Sequence, residues 1–414
     1  MAVQRQFGAP EYCARERAHP PRTGHRADCP GRLHRRDCTT YPDRPPAGLA
    51  NLACGARVFR SDGIGRLVVP VPLGLAIQSP LTCLRTLPSR RVSTHPPLRI
   101  VFFGTPDFAE ASLRALAASE HEVVGVVTAP DRPAGRGQRL QPSRVKVAAV
   151  ELGLPLAQPE KLRTTDFLAT LDRWEADLYA VVAFRMLPEM VWSRPRIGTV
   201  NVHGSLLPDF RGAAPIQHAV KAGVSKTGVT SFFITADIDT GAILLQRAIP
   251  VGPEATAGDV YQQLMVEGAG LMVDTADALS DTPLDGVPQS ALLTGSERPA
   301  PKLFRQDGRV DWRQSAREVA DFIRGMTPFP GAWTTLNGAT LKLDGALVSE
   351  SGESAPGGLA PGDCHIEGET WWVGTQGQPV RLRRVQLAGK PFMDVPDVLR
   401  GYRYPIASLG TDGH

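Results

Sequence analysis

An asparagine and a histidine stand two residues apart at the start of the stretch NVHGSLLPDFRGAAPIQ, residues 201–217. On a β-strand this spacing puts Asn201 and His203 on one face and turns Val202 back toward the core. An amide and an imidazole would then share one small site. A histidine at a strand end can equally be structural, and an asparagine can simply make a turn, so the surrounding sequence has to decide.

Two carboxylates follow in SFFITADIDTGAILLQ, where Asp237 and Asp239 lie in a short turn between two strands. The simpler interpretation is a hairpin turn, because Asp, Thr and Gly are ordinary turn residues. The functional interpretation is acyl transfer, in which an amide stabilises an oxyanion, an imidazole moves protons and a carboxylate fixes the imidazole. We favour direct transfer to an amine, because Ser205 lacks a nucleophile-elbow pattern and Cys364 is remote in the sequence.

The elements around these residues alternate between strand and helix. Strands are predicted at 98–104, 122–129, 177–184, 199–204, 228–235 and 242–251, and helices at 108–119, 143–153, 167–174 and 214–223. This alternation predicts an α/β fold with a Rossmann-like, mostly parallel sheet and right-handed crossovers. Asn201 and His203 then lie near the carboxyl end of a strand, where open α/β sheets bind their ligands.

The first turn of this sheet does not favour a nucleotide cofactor. GTPDFAE offers Gly104 alone, without the further glycines that let a backbone approach a pyrophosphate, and the sequence has no P-loop. A dehydrogenase is therefore disfavoured. The chemistry has to be sought near Asn201 and His203.

The first 97 residues differ from the rest of the chain in charge and in cysteine content. They hold 15 Arg, no Lys, six acidic residues and five of the six cysteines, whereas the remainder has 31 basic and 36 acidic residues. A zinc or disulfide module has little support because no C-x-x-C pair occurs, and the scattered acids and prolines fit a targeting segment poorly. We expect residues 1–97 to be a disordered extension, or an over-extended start with a shorter product beginning near Val92.

The composition of the whole chain is that of a globular protein of two or three domains, with 414 residues and 42% hydrophobic content. No apolar run reaches the length of a membrane span. Cys364 is the only cysteine after residue 97, which indicates a reducing compartment. We expect a cytoplasmic monomer that does not bind membranes.

A cationic segment, TAPDRPAGRGQRLQPSRVK, occupies residues 128–146. It contains five basic residues and a single acid, Asp131, within a Gly- and Pro-rich loop. Such a cationic loop is suited to binding phosphate groups. The alternative is a solvated surface loop. The basic residues are Arg132, Arg136, Arg139, Arg144 and Lys146.

A Pro-, Gly- and Ser-rich stretch at 282–303 predicts a linker between a catalytic domain at 98–281 and a second domain at 304–414. After a helix at 316–326, Gly-punctuated short strands predict a small β-barrel. The strand VRLRRVQ sets Arg381 and Arg383 on one face. They could meet an RNA backbone there or simply form part of the barrel surface.

Four motifs occur in order along the chain: FFGTPDFA, TAPDRPAGRGQRLQPSRVK, NVHGSLLPDFRGAAPIQ and IDTG. From about Leu98 to the C-terminus the chain thereby resembles the methionyl-tRNA formyltransferase family, within the folate-dependent formyltransferases. The resemblance implies a catalytic trio of Asn201, His203 and Asp239. It also implies that the cationic segment contacts tRNA and that the second domain is an OB-like, RNA-docking fold.

The resemblance also implies where the folate binds. SLLP would lie at the tetrahydrofolate site, and the backbone of FRMLP, residues 184–188, would meet the pterin ring. The expected folate-binding residues are Ser205, Leu206, Leu207, Pro208, Phe184, Arg185, Met186 and Leu187. The chain has Ala183 followed by Phe and Arg where the family more often has AYG, which concerns the pterin contacts and not the trio.

The activity expected from this resemblance is transfer of the formyl group of 10-formyltetrahydrofolate to the α-amine of initiator methionyl-tRNA, without a metal. Two alternatives remain open. One is a folate-dependent formyltransferase that acts on an amino sugar or another small amine, and the other is an RNA-binding protein without enzymatic activity.

Overall fold

The computed structural model describes residues 96–134, 139–281, 284–348, 355–403 and 405–410. The extension predicted for residues 1–97 therefore lies almost wholly outside the described residues. Arg136 of the cationic segment also lies outside them, and so does the side chain of Arg139.

The first part of the described chain alternates strands and helices, as the sequence predicts. The strands are β1 (Arg99–Gly104), β2 (Glu122–Val127), β3 (Arg132–Ala134), β4 (Arg139–Gln141), β5 (Leu156–Ala157), β6 (Leu178–Val182), β7 (Gly198–His203), β8 (Lys226–Phe233) and β9 (Ile243–Pro250). The helices are α1 (Asp107–Ala117), α2 (Arg144–Glu151), α3 (Thr165–Trp174), α4 (Glu189–Trp192), α5 (Pro215–Lys221) and α6 (Ala257–Asp281).

Seven of these strands form one sheet in the order β5-β2-β1-β6-β7-β8-β9. The pairs from β5 to β7 are parallel, whereas β8 is antiparallel to both β7 and β9. The mostly parallel sheet predicted from the sequence is thus confirmed, with an antiparallel edge. β3 and β4 pair separately as a short hairpin at the two described ends of the cationic segment.

Side chains alternate between two apolar layers along the central strands, as expected for parallel strands covered on both faces. Ile100 and Phe102 join the core under α1 and α6, whereas Val101 and Phe103 join the core under α3. In β7 the first layer takes Val200 and Val202. Asn201 and His203 therefore face the α3 side of the sheet.

Helix α6, the longest of the described helices, has no counterpart in the sequence predictions. Its amino end is held by reciprocal bonds between Thr256 and Asp259, with distances of 2.9 Å and 3.2 Å from backbone nitrogen to side-chain oxygen. Its buried face packs on α1 and on the antiparallel strands. It thus covers the part of the sheet that carries β8 and β9.

The second part of the chain is built on an antiparallel sheet. It contains β10 (Ala332–Leu336), β11 (Ala339–Val348), β12 (Cys364–Glu367), β13 (Thr370–Val373), β14 (Val380–Gln386) and β15 (Met393–Asp394), with α7 (Ala316–Met326) and α8 (Val395–Gly401). The strand order is β10-β11-β14-β13-β12, and β15 also pairs with β14. Near the C-terminus, Leu409 forms an isolated β-bridge with Leu336 of β10, and Ser408 forms one with Asp363, next to β12. These bridges lie at the two edge strands of the sheet.

Helix α7 begins at the residue that the sequence predicts, because Ser315 caps it. The Ser315 hydroxyl accepts a bond from the Glu318 amide at 3.3 Å, and the Glu318 carboxylate accepts one from the Ser315 amide at 3.0 Å. At the other end Arg324 donates to the Ala255 carbonyl at 2.9 Å. This bond joins the second sheet domain to the first.

No helix in the described ranges is long and apolar enough to cross a bilayer.

Residues 284–303, which we call the connecting segment, pack against the first domain. Val287 and Ile243 exchange backbone hydrogen bonds of 2.8 Å and 2.9 Å, and Ala300 donates to the Arg211 carbonyl at 2.8 Å. A stretch predicted as a linker therefore touches both the start of β9 and the loop after β7.

Candidate active site

Strand β7 presents Asn201 and His203 on one face, as the spacing predicts. The imidazole of His203 is buried, with 7% of the side chain exposed, and Asn201 is half-buried. The Asn201 Oδ1 atom is inaccessible to solvent and has no hydrogen-bond partner within the described structure. Buried polar atoms are rarely left unpaired, so an unpartnered amide oxygen beside an imidazole indicates a place for a ligand.

Both ring nitrogens of His203 face oxygen atoms. Nε2 lies 2.9 Å from the Phe210 carbonyl oxygen, and Nδ1 lies 3.6 Å from Asp239 Oδ2. A carbonyl can only accept, so Nε2 carries a proton whether the ring is neutral or charged. Nδ1 is consequently the nitrogen that can gain or lose a proton, and a carboxylate stands beside it.

The two aspartates predicted in the hairpin loop have different environments. Asp237 is exposed, and its carbonyl accepts bonds from the hydroxyls of Thr235 and Thr240 within the loop. Asp239 has only 14% of its side chain exposed, and its Oδ2 accepts a bond from the Gly212 amide at 3.0 Å. The structure therefore brings Asp239, and not Asp237, to the imidazole.

The direction of β8 decides how Asp239 reaches His203. Because β8 is antiparallel to β7, its last residue, Phe233, pairs with Val200 near the start of β7. The loop that follows begins beside Thr199 and returns along the sheet face to His203. Asp239 adopts a left-handed backbone conformation on the way, with a φ of 54°. Such a conformation is uncommon for residues other than glycine and is often found at functional sites.

The SLLP residues turn mainly inward. Ser205 is fully buried and donates to the Asp209 carbonyl at 2.6 Å, and Leu207 packs with Phe232 and Ile243. Leu206 and Pro208 are half-buried. A ligand at this turn would thus meet Leu206 and Pro208 more readily than the side chains of Ser205 and Leu207.

The FRMLP loop follows β6, the parallel neighbour of β7. Phe184 packs edge-on against Phe103 with ring centres 5.7 Å apart, and Leu187 is buried. Met186 is 71% exposed. Arg185 donates to the carbonyls of Pro159 and Glu160. Its pKa lies below the usual value, mainly because the guanidinium is partly desolvated and to a smaller extent because Arg132 carries a like charge.

The described residues of the cationic segment differ in their surroundings. Arg132 and Arg144 are exposed. Lys146 forms an ion pair with Asp131 at 2.5 Å, and Gln158 donates to the same carboxylate at 2.8 Å. These two hydrogen bonds lower the pKa of Asp131. Lys146 is thus partly neutralised within the protein, whereas the two arginines present their charge at the surface.

The two arginines predicted on β14 do not have the same environment either. Arg383 is exposed and forms an ion pair with Glu254 of the first domain, at 3.1 Å. Arg381 is half-buried on the same strand and pairs across the sheet with Leu347 and Trp372.

Cys364 lies on β12, and burial raises the pKa of its thiol to about 11, which does not favour a nucleophile.

The predictions from the sequence did not assign a role to four residues that contact the candidate site. Phe210 and Gly212 lie within the quoted motif, but only the fold shows that their backbone groups bind His203 and Asp239. Gln289 and Arg298 lie in the connecting segment, where the composition indicates a linker. No group of His, Cys, Asp and Glu side chains that could hold a metal occurs among the described residues.

The chain matches the family model described as formyl transferase over residues 98–276, and that described as formyl transferase, C-terminal domain, over residues 302–403. It is 46% identical over 315 residues to the methionyl-tRNA formyltransferase of Parabacteroides distasonis. That match covers 74% of this chain and 96% of the relative.

Two solved structures share the fold. One is WlaRD, a sugar 3N-formyl transferase solved in the presence of dTDP and 5-N-formyl-THF, with a TM-score of 0.53 and 15% identity, covering 71% of this chain and 99% of that one. The other is HypX from Aquifex aeolicus in complex with tetrahydrofolic acid, with a TM-score of 0.50 and 18% identity, covering 75% of this chain and 50% of that one.

Proposed function

The chain belongs to the methionyl-tRNA formyltransferase family, and on that premise we propose that it transfers the formyl group of 10-formyltetrahydrofolate to the α-amine of initiator methionyl-tRNA. The single observation that carries the chemistry is the arrangement around His203. Its imidazole lies between the Phe210 carbonyl and the Asp239 carboxylate, on the same strand face as the Asn201 amide, whose oxygen has no partner in the described structure.

Asn201 fits the role of an oxyanion donor. A half-turn of its amide presents an NH2 group where the unpartnered oxygen now lies, so the side chain can donate to a formyl oxygen as negative charge develops there. The site is largely shielded from water, which strengthens such a hydrogen bond. The role requires no covalent intermediate with the protein.

His203 fits the role of proton donor through Nδ1, because Nε2 is held by Phe210. In the proposed reaction the neutral α-amine adds to the formyl carbon, and Asn201 and the Nδ1–H group of protonated His203 donate to the resulting oxyanion. His203 then gives the Nδ1 proton to N10 as the bond from the formyl carbon to N10 breaks.

Asp239 stabilises the charged form of the imidazole through its carboxylate, 3.6 Å from Nδ1. The extra proton of the attacking amine passes through water beside Asp239 and returns to Nδ1 of His203, which restores the protonated imidazole. The products are formylmethionyl-tRNA and tetrahydrofolate.

The loops at 184–187 and 205–208 are the proposed folate contacts, because they flank β7 at the edge where open α/β sheets bind ligands. The exposed Arg132 and Arg144 support a tRNA contact at the cationic segment.

We place the catalytic domain at 98–281, a linker at 282–303 and an OB-like, RNA-docking domain at 304–414. Charged tRNA and a reduced folate as substrates also agree with the cytoplasmic location expected from the sequence.

An acceptor comparison tests this function against its alternatives. Purified protein with 10-formyltetrahydrofolate should formylate initiator methionyl-tRNA faster than elongator methionyl-tRNA, and it should leave a dTDP-linked amino sugar unmodified. Preferential formylation of the sugar would establish the amino-sugar alternative. Binding of tRNA without turnover of any acceptor would establish the non-enzymatic one.

A further inference from the structure

The connecting segment contacts both of the groups that hold His203. Gln289 binds the loop that carries Asp239, and Arg298 binds Phe210, whose carbonyl accepts from Nε2. Neither residue touches the imidazole itself. Each can therefore act on the reaction only by placing another group.

Gln289 uses the whole hydrogen-bonding capacity of its amide. Its Nε2 donates to the carbonyls of Asp239 at 2.9 Å and Gly241 at 2.8 Å. Its Oε1 accepts from Nε and Nη2 of Arg211, at 2.9 Å and 2.6 Å. The residue is only 2% exposed. A buried amide with both N–H groups and both lone pairs satisfied has a single orientation. It therefore holds the carbonyls of Asp239 and Gly241 in place.

The position that Gln289 fixes is the one that most needs support. Asp239 is held in the left-handed region, which is uncommon for residues other than glycine. Two bonds from one buried amide, to residues 239 and 241, span this strained point. Without them the Asp239 carboxylate could turn away from Nδ1.

Arg298 shows that the rest of the segment acts on the other side of the imidazole. Its carbonyl accepts from the Phe210 amide at 2.8 Å, and its guanidinium lies 4.3 Å from the centre of the Phe210 ring. The same guanidinium pairs with Asp209 at 2.5 Å. Phe210 is also left-handed, with a φ of 58°. The segment therefore supports the two strained residues on both sides of His203.

We propose that Gln289 is a positioning residue for formyl transfer, which acts by holding the Asp239 carboxylate beside Nδ1 of His203. The inference rests on the proposed function for its link to catalysis. It assigns a mechanistic role to a stretch whose composition indicates only a linker.

The variant Gln289→Met tests this role, because Met has similar length and no hydrogen-bonding group able to replace the amide. We expect kcat to fall about 10-fold to 100-fold, with KM for tRNA and for folate changed less than about twofold, since a misplaced catalytic group costs rate more than binding. The pH profile of kcat should also be displaced. The matched control is Gln263→Met on the exposed face of α6, which should leave kcat, KM and the pH profile unchanged.

A second variant, Gln289→Glu, separates positioning from simple packing. A carboxylate at this place still accepts from Arg211 but cannot donate to the carbonyls of Asp239 and Gly241. Positioning predicts a loss of kcat comparable to that of Gln289→Met. Full activity of Gln289→Glu would overturn the proposal, and so would unfolding of both variants, because the role would then be structural.

A titration that needs no substrate keeps this test distinct from the test of the proposed function. In the full chain with 15N-labelled histidine, the imidazole signals of His203, assigned with His203→Ala, should show a titration midpoint in Gln289→Met that differs from wild type. Coincident midpoints would overturn the proposal even if methionyl-tRNA is the substrate. If wild type fails to formylate methionyl-tRNA while the midpoint shifts, the proposed function fails and the positioning role stands.

Discussion

Asp239 Oδ2 lies 3.6 Å from His203 Nδ1, although the loop that carries Asp239 begins beside the opposite end of the strand that carries His203. The Gly212 amide donates to the same Oδ2 atom at 3.0 Å. One carboxylate thus joins the loop after β7 to the loop after β8.

Asn201→Ala and His203→Ala should each reduce turnover far more than they weaken folate binding, because both side chains act on charge that develops in the transition state. Loss of one oxyanion donor typically costs about 100-fold to 1,000-fold in rate. Single-turnover kinetics together with equilibrium binding of the folate would measure the two effects separately. Near-normal turnover in either variant would remove that residue from the mechanism.

Asp239→Asn should displace the pH-rate profile and not only scale it. The substitution keeps the size of the side chain but removes the negative charge beside Nδ1, so the charged imidazole loses its stabilising partner. The measurement is kcat over the pH range in which wild type gains and loses activity. A profile of unchanged shape with full activity would leave Asp239 as a turn residue.

A chain shortened to begin at residue 92, with Met in place of Val92, should fold and formylate like the full chain. The contacts of the described structure begin at Pro96, whose carbonyl accepts from Ser280, and at Leu98, whose amide donates to His121. Thermal unfolding and initial rates would compare the two proteins. Insoluble or inactive shortened protein would show that the removed residues are structural.

Arg136→Ala should impair formylation of methionyl-tRNA strongly, and Arg136→Lys less, while folate binding stays intact. Arg can pair with phosphate and stack on an unpaired base, whereas Lys supplies charge alone. Rates at several tRNA concentrations, with folate binding as the control, would measure the effect. Unchanged kinetics in Arg136→Ala would reduce this part of the cationic segment to a solvated surface loop.

Salt dependence gives the same segment a second test. Competition by uncharged tRNA should weaken as the salt concentration rises, because cationic contacts release counterions from phosphate. The dependence should be shallower in Arg136→Ala than in wild type. An identical dependence in both would argue against a phosphate contact at Arg136.

The sequence predicts that Asn201 and His203 share one strand face, because the two-residue period of a strand depends only on local geometry. The parallel part of the sheet follows in the same way from the alternation of apolar runs and helices. The long helix α6 is not predicted from the sequence, although Thr256 and Asp259 form a capping pair at its amino end. A strand–helix alternation ending at β9 gives no reason to expect another helix across the sheet.

The contacts of Asp239, Phe210 and Gln289 depend on groups far apart in the chain, and no local pattern specifies them. The approach of Asp239 to His203 requires the antiparallel direction of β8 and a left-handed residue in the loop. The role of Gln289 requires a chain segment with the composition of a linker to fold back on the sheet. Such contacts follow from tertiary packing and could be found only in the folded chain.

The most direct test of the account measures formylmethionyl-tRNA and tetrahydrofolate in the same reaction, with wild type and with His203→Ala. Wild type should form the two products in equal molar amounts, and His203→Ala should lower both rates together. Release of tetrahydrofolate without formylmethionyl-tRNA would contradict direct transfer to the α-amine. Equal rates in wild type and His203→Ala would contradict the role of His203 as proton donor.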